Sequence, residues 1–238
     1  MRTQLERDTP RALEFFEQYY ERFIVAFPSL DTRSTFEECL RDLRDRRFNI
    51  IVVVRQDQIV GGVHVWEFGQ FGLEEHIWTD PAMRGQRIGE ALDFYVSNLL
   101  YSRGAIGMVS ELLDPYRDRE NGKVTNDGRQ SESFARLAFF ERLGRLWIDA
   151  PYVQPALRAE ARSIDNMILT IQPLQADLQE LSVTTYLSIL RDYFSAITGG
   201  QNIEEVIQLH LAQLELWPLA TGMIPFRSME YFRQTNVI

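Results

Sequence analysis

The stretch WTDPAMRGQRIGEAL, positions 78–92, constrains the fold more than any other part of the chain. It joins an apolar segment to an amphipathic one through a basic turn that contains glycine. Ile88, Ala91, Leu92, Tyr95 and Leu99 recur at helical spacing and predict a helix over 87–100, with Glu90, Asp93 and Asn98 on its polar face. The segment 73–78 reads as a strand before the turn. A second strand, 105–113, follows the helix and is bounded by Gly104 and by Asp114-Pro115. The unit is therefore strand, basic turn, helix, strand.

Such a junction suits a pyrophosphate. The first amides of a helix have no carbonyl partners and point outward with the positive end of the macrodipole. Gly85 and Gly89 remove Cβ where a ligand would approach the backbone, and Arg84 and Arg87 add positive charge. A capped surface helix would carry similar residues, so the surrounding motifs decide. Neither GxxxxGK[ST] nor GxGxxG occurs in the chain.

The turn resembles the Q/RxxGxG/A signature of the GNAT superfamily of acetyl-CoA-dependent N-acetyltransferases, with Arg84 in the first place and Gly89 in the last. A second likeness is SFARLAFFERLGR at 133–145, which keeps the spacing of the family's NxxAxxxYxxxGF helix and ends on Gly144, suited to a left-handed helix end. The resemblance implies an α/β fold with a mixed, mostly antiparallel central sheet flanked by helices. It also implies transfer of acetyl from acetyl-CoA to a primary amine by direct attack, releasing coenzyme A. The pyrophosphate would lie on Arg84, Gly85, Gln86, Arg87, Ile88 and Gly89, and the pantetheine arm along Ile77, Trp78 and Thr79. A strand N–H would hold the oxyanion. Ser133 and Phe140 fall at cofactor-facing places of the second motif.

Three residues depart from the family pattern. Arg87 stands in place of a glycine, Ser133 in place of asparagine, and Phe140 in place of the tyrosine that protonates the departing thiolate. A phenyl ring has no proton to give. Tyr152 and Ser133 are the alternative donors, with packing against the sheet as the competing role of Tyr152. Ser133 could instead cap its helix, in competition with Ser131.

An alkyl ammonium with pKa about 10.4 must lose a proton before it attacks, at a cost of about 4 kcal/mol near neutrality. Glu74, Glu75 and His76 on the strand before the turn are the candidate acceptors. Strand alternation puts Glu74 and His76 on one face and Glu75 on the other, and Glu74 is narrowly preferred. Each could equally be a paired structural residue. His64, sharing a face with Trp66, is a candidate wall of the amine pocket. Glu111 and Asp114 are candidates to hold a cationic substrate, although Asp114 before Pro115 also suits a turn. No GxSxG elbow and no Cys-His pair argues for a covalent intermediate, and the three histidines and single cysteine show no metal-ligand spacing, so no metal is expected.

At 238 residues and 45% hydrophobic content the chain can bury a sizeable core, and its apolar runs are too short to span a bilayer. A net charge of -9 argues against nucleic acid as partner. The N-terminus lacks an export pattern, and a cytoplasmic location is expected. Cys39 reads as a buried small hydrophobe. Helices are predicted over 10–27 and 34–47, with Phe15, Tyr19, Phe23 and Phe27 as a core stripe. Strands 49–55 and 58–68 should turn on Gln56-Asp57. The polar stretch 114–130 reads as a long loop, either a lid near the site or plain disorder. Beyond it, 174–197 reads as helix, Gly199-Gly200 as a break, and Asn202 with Glu205 as a capping-box start of a final helix to Trp217. The expected organisation is a catalytic domain over 1–173 and a helical extension over 174–238, packed on the core or on another subunit as in a homodimer. A small-molecule amine is the expected acceptor. A protein amine, or an acyl-CoA-binding scaffold without catalysis, are the alternatives.

Overall fold

The computed structural model describes residues 10–29, 33–117, 132–157, 163–200, 202–217, 219 and 222–236. Most of the predicted loop 114–130, together with Ser131, lies outside these residues; within them Asp114 to Arg117 form a turn.

Strands β1 (Phe48–Arg55) and β2 (Gln58–Phe68) form a hairpin closed by Gln56 and Asp57, both left-handed at φ 48° and 60°. Two such residues match the right-handed twist of the flanking strands. The sheet continues with β3 (Phe71–Thr79), β4 (Gly107–Leu113), β5 (Leu146–Ile148), β6 (Met167–Pro173), β7 (Glu180–Ser182) and β8 (Met223–Arg227). The spatial order is β1-β2-β3-β4-β6-β5-β8-β7, and every neighbouring pair is antiparallel except β3 with β4. This is the mixed, mostly antiparallel sheet that the motifs predict.

Helices α1 (Pro10–Ala26), α2 (Phe36–Asp42), α3 (Ile88–Ser102), α4 (Glu132–Arg142), α5 (Val183–Thr198), α6 (Ile203–Leu216) and α7 (Met229–Asn236) cover the sheet. Alternation along β2 sorts them. Val63 and Val65 pack with Ile88, Leu92 and Val96 of α3, whereas His64 and Trp66 face the opposite layer, where Tyr19 and Phe23 of α1 and the buried rings of α5 lie. Two adjacent glycines allow both layers to approach. A Cβ on Gly61 would come within 2.8 Å of Ile88, and one on Gly62 within 2.6 Å of the Tyr19 ring. Tyr19 and Trp78 are rigid and buried here, so Gly62→Ala is expected to cost about 1–3 kcal/mol through overpacking. Urea unfolding reads this directly, and an unchanged midpoint would contradict the packing described.

Several predicted elements differ in extent. The second helix is shorter than 34–47, because Thr35 and Glu38 close a reciprocal capping box that fixes its start at Phe36. The buried side of α3 is Ile88, Leu92, Asp93, Val96, Ser97 and Leu100, rotated from the predicted stripe, and Asp93 is interior rather than solvated. Part of 174–197 is not helical: Leu174 donates to Ile106, Glu180–Ser182 form β7, and α5 starts only after the Ser182 cap. Asn202 is left-handed at φ 54° and its side chain makes no cap bond, so the predicted capping box does not form. After Trp217 the chain adds β8 and α7, which the hydrophobic pattern does not reveal. β8 joins the sheet by pairing with β5 and β7.

Candidate active site

The parallel pair β3–β4 holds for four rungs only, from Phe71↔Gly107 to Glu74↔Ser110. Beyond that rung the two strands part. β3 stays with β2 as far as Thr79, and β4 stays with β6 as far as Leu113. The β4-facing edge of Glu75 to Thr79 is left without a strand partner, and a cavity of 830 Å³ occupies the opening. Its walls run from the turn before α3, past Ile77, Trp78 and Thr79, to Glu75, His76 and Glu111, with Phe27 of α1 and Phe139 and Phe140 of α4 at the sides.

The turn is built by local conformation. Asp80 accepts from the amide of Ala82 at 2.9 Å and starts a short 3-10 turn at Pro81–Met83. Gly85 at φ 80° and Arg87 at φ 60° then reverse the chain into α3, which begins with no side-chain cap. The amides of the first turn of α3 therefore remain available to an anion. Arg87 adopts the left-handed conformation that explains why glycine suits this place, and its guanidinium pairs with Glu90 at 2.5 Å. Arg84 is 67% exposed and 3.9 Å from Glu132. Gly89 lies against Phe139, where a Cβ would approach within 3.1 Å. Gln86 points away from the cavity and accepts from Arg55.

A β-bulge re-aims the acidic pair. His64 is paired with His76 and Val65 with Glu74, so Glu75 is the extra residue. The predicted alternation, with Glu74 and His76 on one face, fails for this reason. Glu75 and His76 lie together with His64: Glu75 Oε2 is 3.7 Å from His76 Nδ1 and 3.9 Å from His64 Nδ1, and accepts from Trp66 Nε1 at 3.3 Å. Burial works to raise the Glu75 carboxyl, but the two imidazoles and the indole N–H outweigh it and hold the pKa below its ordinary value. His64 is fully buried, does not reach the cavity, and is driven down to about 3 by burial and by His76.

Glu74 also borders the cavity, but its Oε2 turns to the other layer, into an ion cluster that the sequence did not announce. Arg145 Nη2 donates to Glu74 at 3.1 Å and to Asp93 at 2.5 Å, while Nη1 donates to Met108 O and Ser110 Oγ at 3.0 Å each. The cluster sits at the last β3–β4 rung and ties both strands to α3. Burial raises the Glu74 pKa, Arg145 opposes it and Asp93 adds to it.

The remaining candidates divide. Glu111 lines the cavity, with Tyr152 donating to Oε1 and Tyr193 to Oε2 at 2.8 Å. Tyr152 itself packs behind Glu111, away from the cavity. Asp114 receives the amide of Tyr116 at 2.9 Å, as a turn residue does. Both line a second cavity of 720 Å³ instead. Ser133 is buried inside α4, one residue past its start. Phe140 lines the cavity beneath Arg145, whose guanidinium carbon is 5.3 Å from the ring centre. Sequence reasoning missed Arg145, Tyr193 and Gln154, whose partners are distant in the chain. Asp93, an acid on the face that the structure buries, was the one signal available. Among the described residues no helix is long and apolar enough to cross a membrane.

The sequence model of the acetyltransferase (GNAT) family matches residues 12–144. No curated protein matches the sequence. Among solved structures, a Bacteroides thetaiotaomicron protein assigned to the GNAT family of acetyltransferases is similar at TM-score 0.62 and 19% identity, covering 81% of this chain and 97% of its own. An aminoglycoside 6'-N-acetyltransferase complexed with coenzyme A is similar at TM-score 0.51 and 18% identity, covering 73% and 96%.

Proposed function

Because the chain belongs to the acetyltransferase (GNAT) family, we propose that it moves acetyl from acetyl-CoA to a primary amine of a small molecule, with Glu75 as the proton acceptor. The observation that carries this reading is the continuity of one cavity from the uncapped start of α3 to a bulged carboxylate. Acetyl-CoA supplies an activated acyl carbon. The chain contributes amides and Arg84 for the diphosphate, the free edge of β3 for the pantetheine arm, and a backbone N–H there for the developing oxyanion. Glu75, ionised and sheltered, takes the proton that an ammonium must lose before its nitrogen attacks. Glu74 is committed to Arg145, so the base assignment moves one residue along the strand. A cavity of 830 Å³, walled by α1 and α4, has the size of a small-ligand pocket.

Calorimetric titration with acetyl-CoA, and with a fragment lacking the diphosphate, tests the cofactor turn. Release of coenzyme A across a panel of amines tests the chemistry. Binding without turnover would transfer the protein to the acyl-CoA-binding reading that Phe140 favours. Arg84→Glu is expected to weaken acetyl-CoA binding about tenfold, or about 1.4 kcal/mol, as one charge reversal at the turn. Unchanged affinity would remove the turn from the site.

A further inference from the structure

Resting on that reading, we propose that Glu111 is the general acid of the transfer, giving its carboxyl proton to the sulfur of coenzyme A as the C–S bond breaks. The place follows from the topology. Glu74↔Ser110 is the last rung between β3 and β4, so Glu75 and Glu111 are the next residue on each strand, one on either side of the opening. Both line the same cavity, into which Phe140 brings no hydroxyl. A thioester threaded between the strands has one carboxyl on its β3 side and the other on its β4 side.

The surroundings keep the two carboxyls in opposite states. Glu111 faces Tyr152 and Gln154 of the segment after β5, Tyr193 of α5 and, across the opening, Glu75. Behind Tyr152 lies the His210 ring, 5.9 Å away, whose Nε2 accepts from Val153 and whose Nδ1 is 2.8 Å from Val206 O, so it carries no charge toward the site. Among the described residues no basic side chain lies within ion-pair distance of Glu111. Burial raises it to about 8, the Tyr193 hydroxyl opposes this, and the charge of Glu75 adds to it. Burial and the Glu75 charge thus favour the protonated form of Glu111, against the hydrogen bonds that Tyr152, Tyr193 and Gln154 donate to its oxygens. The imidazoles and the indole favour the ionised form of Glu75, the division of roles that a pair of catalytic carboxyls needs.

The step balances. The amine nitrogen forms the C–N bond, the carbonyl electron pair moves to oxygen and returns, and the C–S bonding pair leaves on sulfur, which takes the Glu111 proton to give the thiol. Of the two protons the ammonium loses, one passes through Glu75 to solvent and the other restores Glu111.

The test is kcat at saturating amine as a function of pH. The wild type should lose activity as pH rises through about 8, because Glu111 is then deprotonated. Glu111→Gln should bind acetyl-CoA within twofold of wild type, lower kcat by about 10²-fold or more, and lose the alkaline limb. With the selenium analogue of acetyl-CoA, whose selenolate leaves without a proton, the variant should recover to within about tenfold of wild type, a rescue that a packing role would not produce. Tyr193→Phe keeps the acid but removes the hydrogen bond that lowers it, so its alkaline limb should move to higher pH. Turnover by Glu111→Gln with the wild-type kcat and limb would overturn the proposal and leave the acetyltransferase reading intact. Absence of any coenzyme A release by the wild type would overturn both.

Discussion

Glu75→Gln is expected to lower kcat/KM for the acceptor amine by about 10²- to 10⁴-fold while acetyl-CoA binds as before. The substitution keeps the size of the side chain and an oxygen for the Trp66 indole, and removes only the capacity to accept a proton. The wild-type carboxyl is held below its ordinary pKa, so activity should be lost on the acid side only as pH falls through that depressed value. Above it the carboxylate is fully formed. Glu74→Gln separates the two neighbours, because its effect should be read in stability and not in the acceptor's kinetics. Comparable kcat/KM for Glu75→Gln and wild type would exclude Glu75 as the base.

Arg145→Met is expected to cost about 3–5 kcal/mol of stability. The Arg145 side chain is 0% exposed and holds the side chains of Glu74 and Asp93, themselves 1% and 4% exposed. Its removal leaves two carboxyls facing each other in the dry layer between sheet and α3. Against a total of about 5–15 kcal/mol for a typical domain, this is a large fraction. The loss should depend on pH with a definite sign. A buried carboxyl without its cation has a folded-state pKa raised above the unfolded value, so it favours folding below the unfolded pKa and that contribution is lost as pH rises through the folded one. Urea midpoints of the variant should therefore lie farther below wild type at pH 8 than at pH 5. Replacing Glu74, Asp93 and Arg145 together by apolar residues of similar volume should recover most of the loss, because no charge then remains unpaired. A wild-type midpoint for Arg145→Met at both pH values would contradict the cluster.

What was legible in the sequence was local. The hairpin on Gln56-Asp57, the strand entering the basic turn, the helix leaving it and the aromatic stripe of α1 each follow from periodicity and turn chemistry over a few neighbouring residues. The family resemblance rests on two such segments and extended that reading to the whole central sheet. The faces of Glu74 and Glu75 were not legible. A regular strand alternates, and one extra residue between the His64↔His76 and Val65↔Glu74 rungs reverses the assignment.

Other features escape the sequence for the same reason. Asp93 reads as a solvated helix acid until Arg145, 52 residues on, reaches it through the core. Glu111 reads as a candidate to hold a cationic substrate, and its burial against Tyr193, 82 residues away, is not legible in the sequence. β7 and β8 are too short to show a period, and only their pairing with each other and with β5 makes them strands. The sequence by itself thus determined the basic turn that leads into α3, the order of the central elements and the class of chemistry, since backbone conformation and helix-end polarity are set by adjacent residues. Which carboxyl is turned by the bulge toward the cavity, which is locked in an ion cluster and which is buried against two tyrosines were decided only by the tertiary structure, because burial and charge pairing depend on residues that the fold brings together.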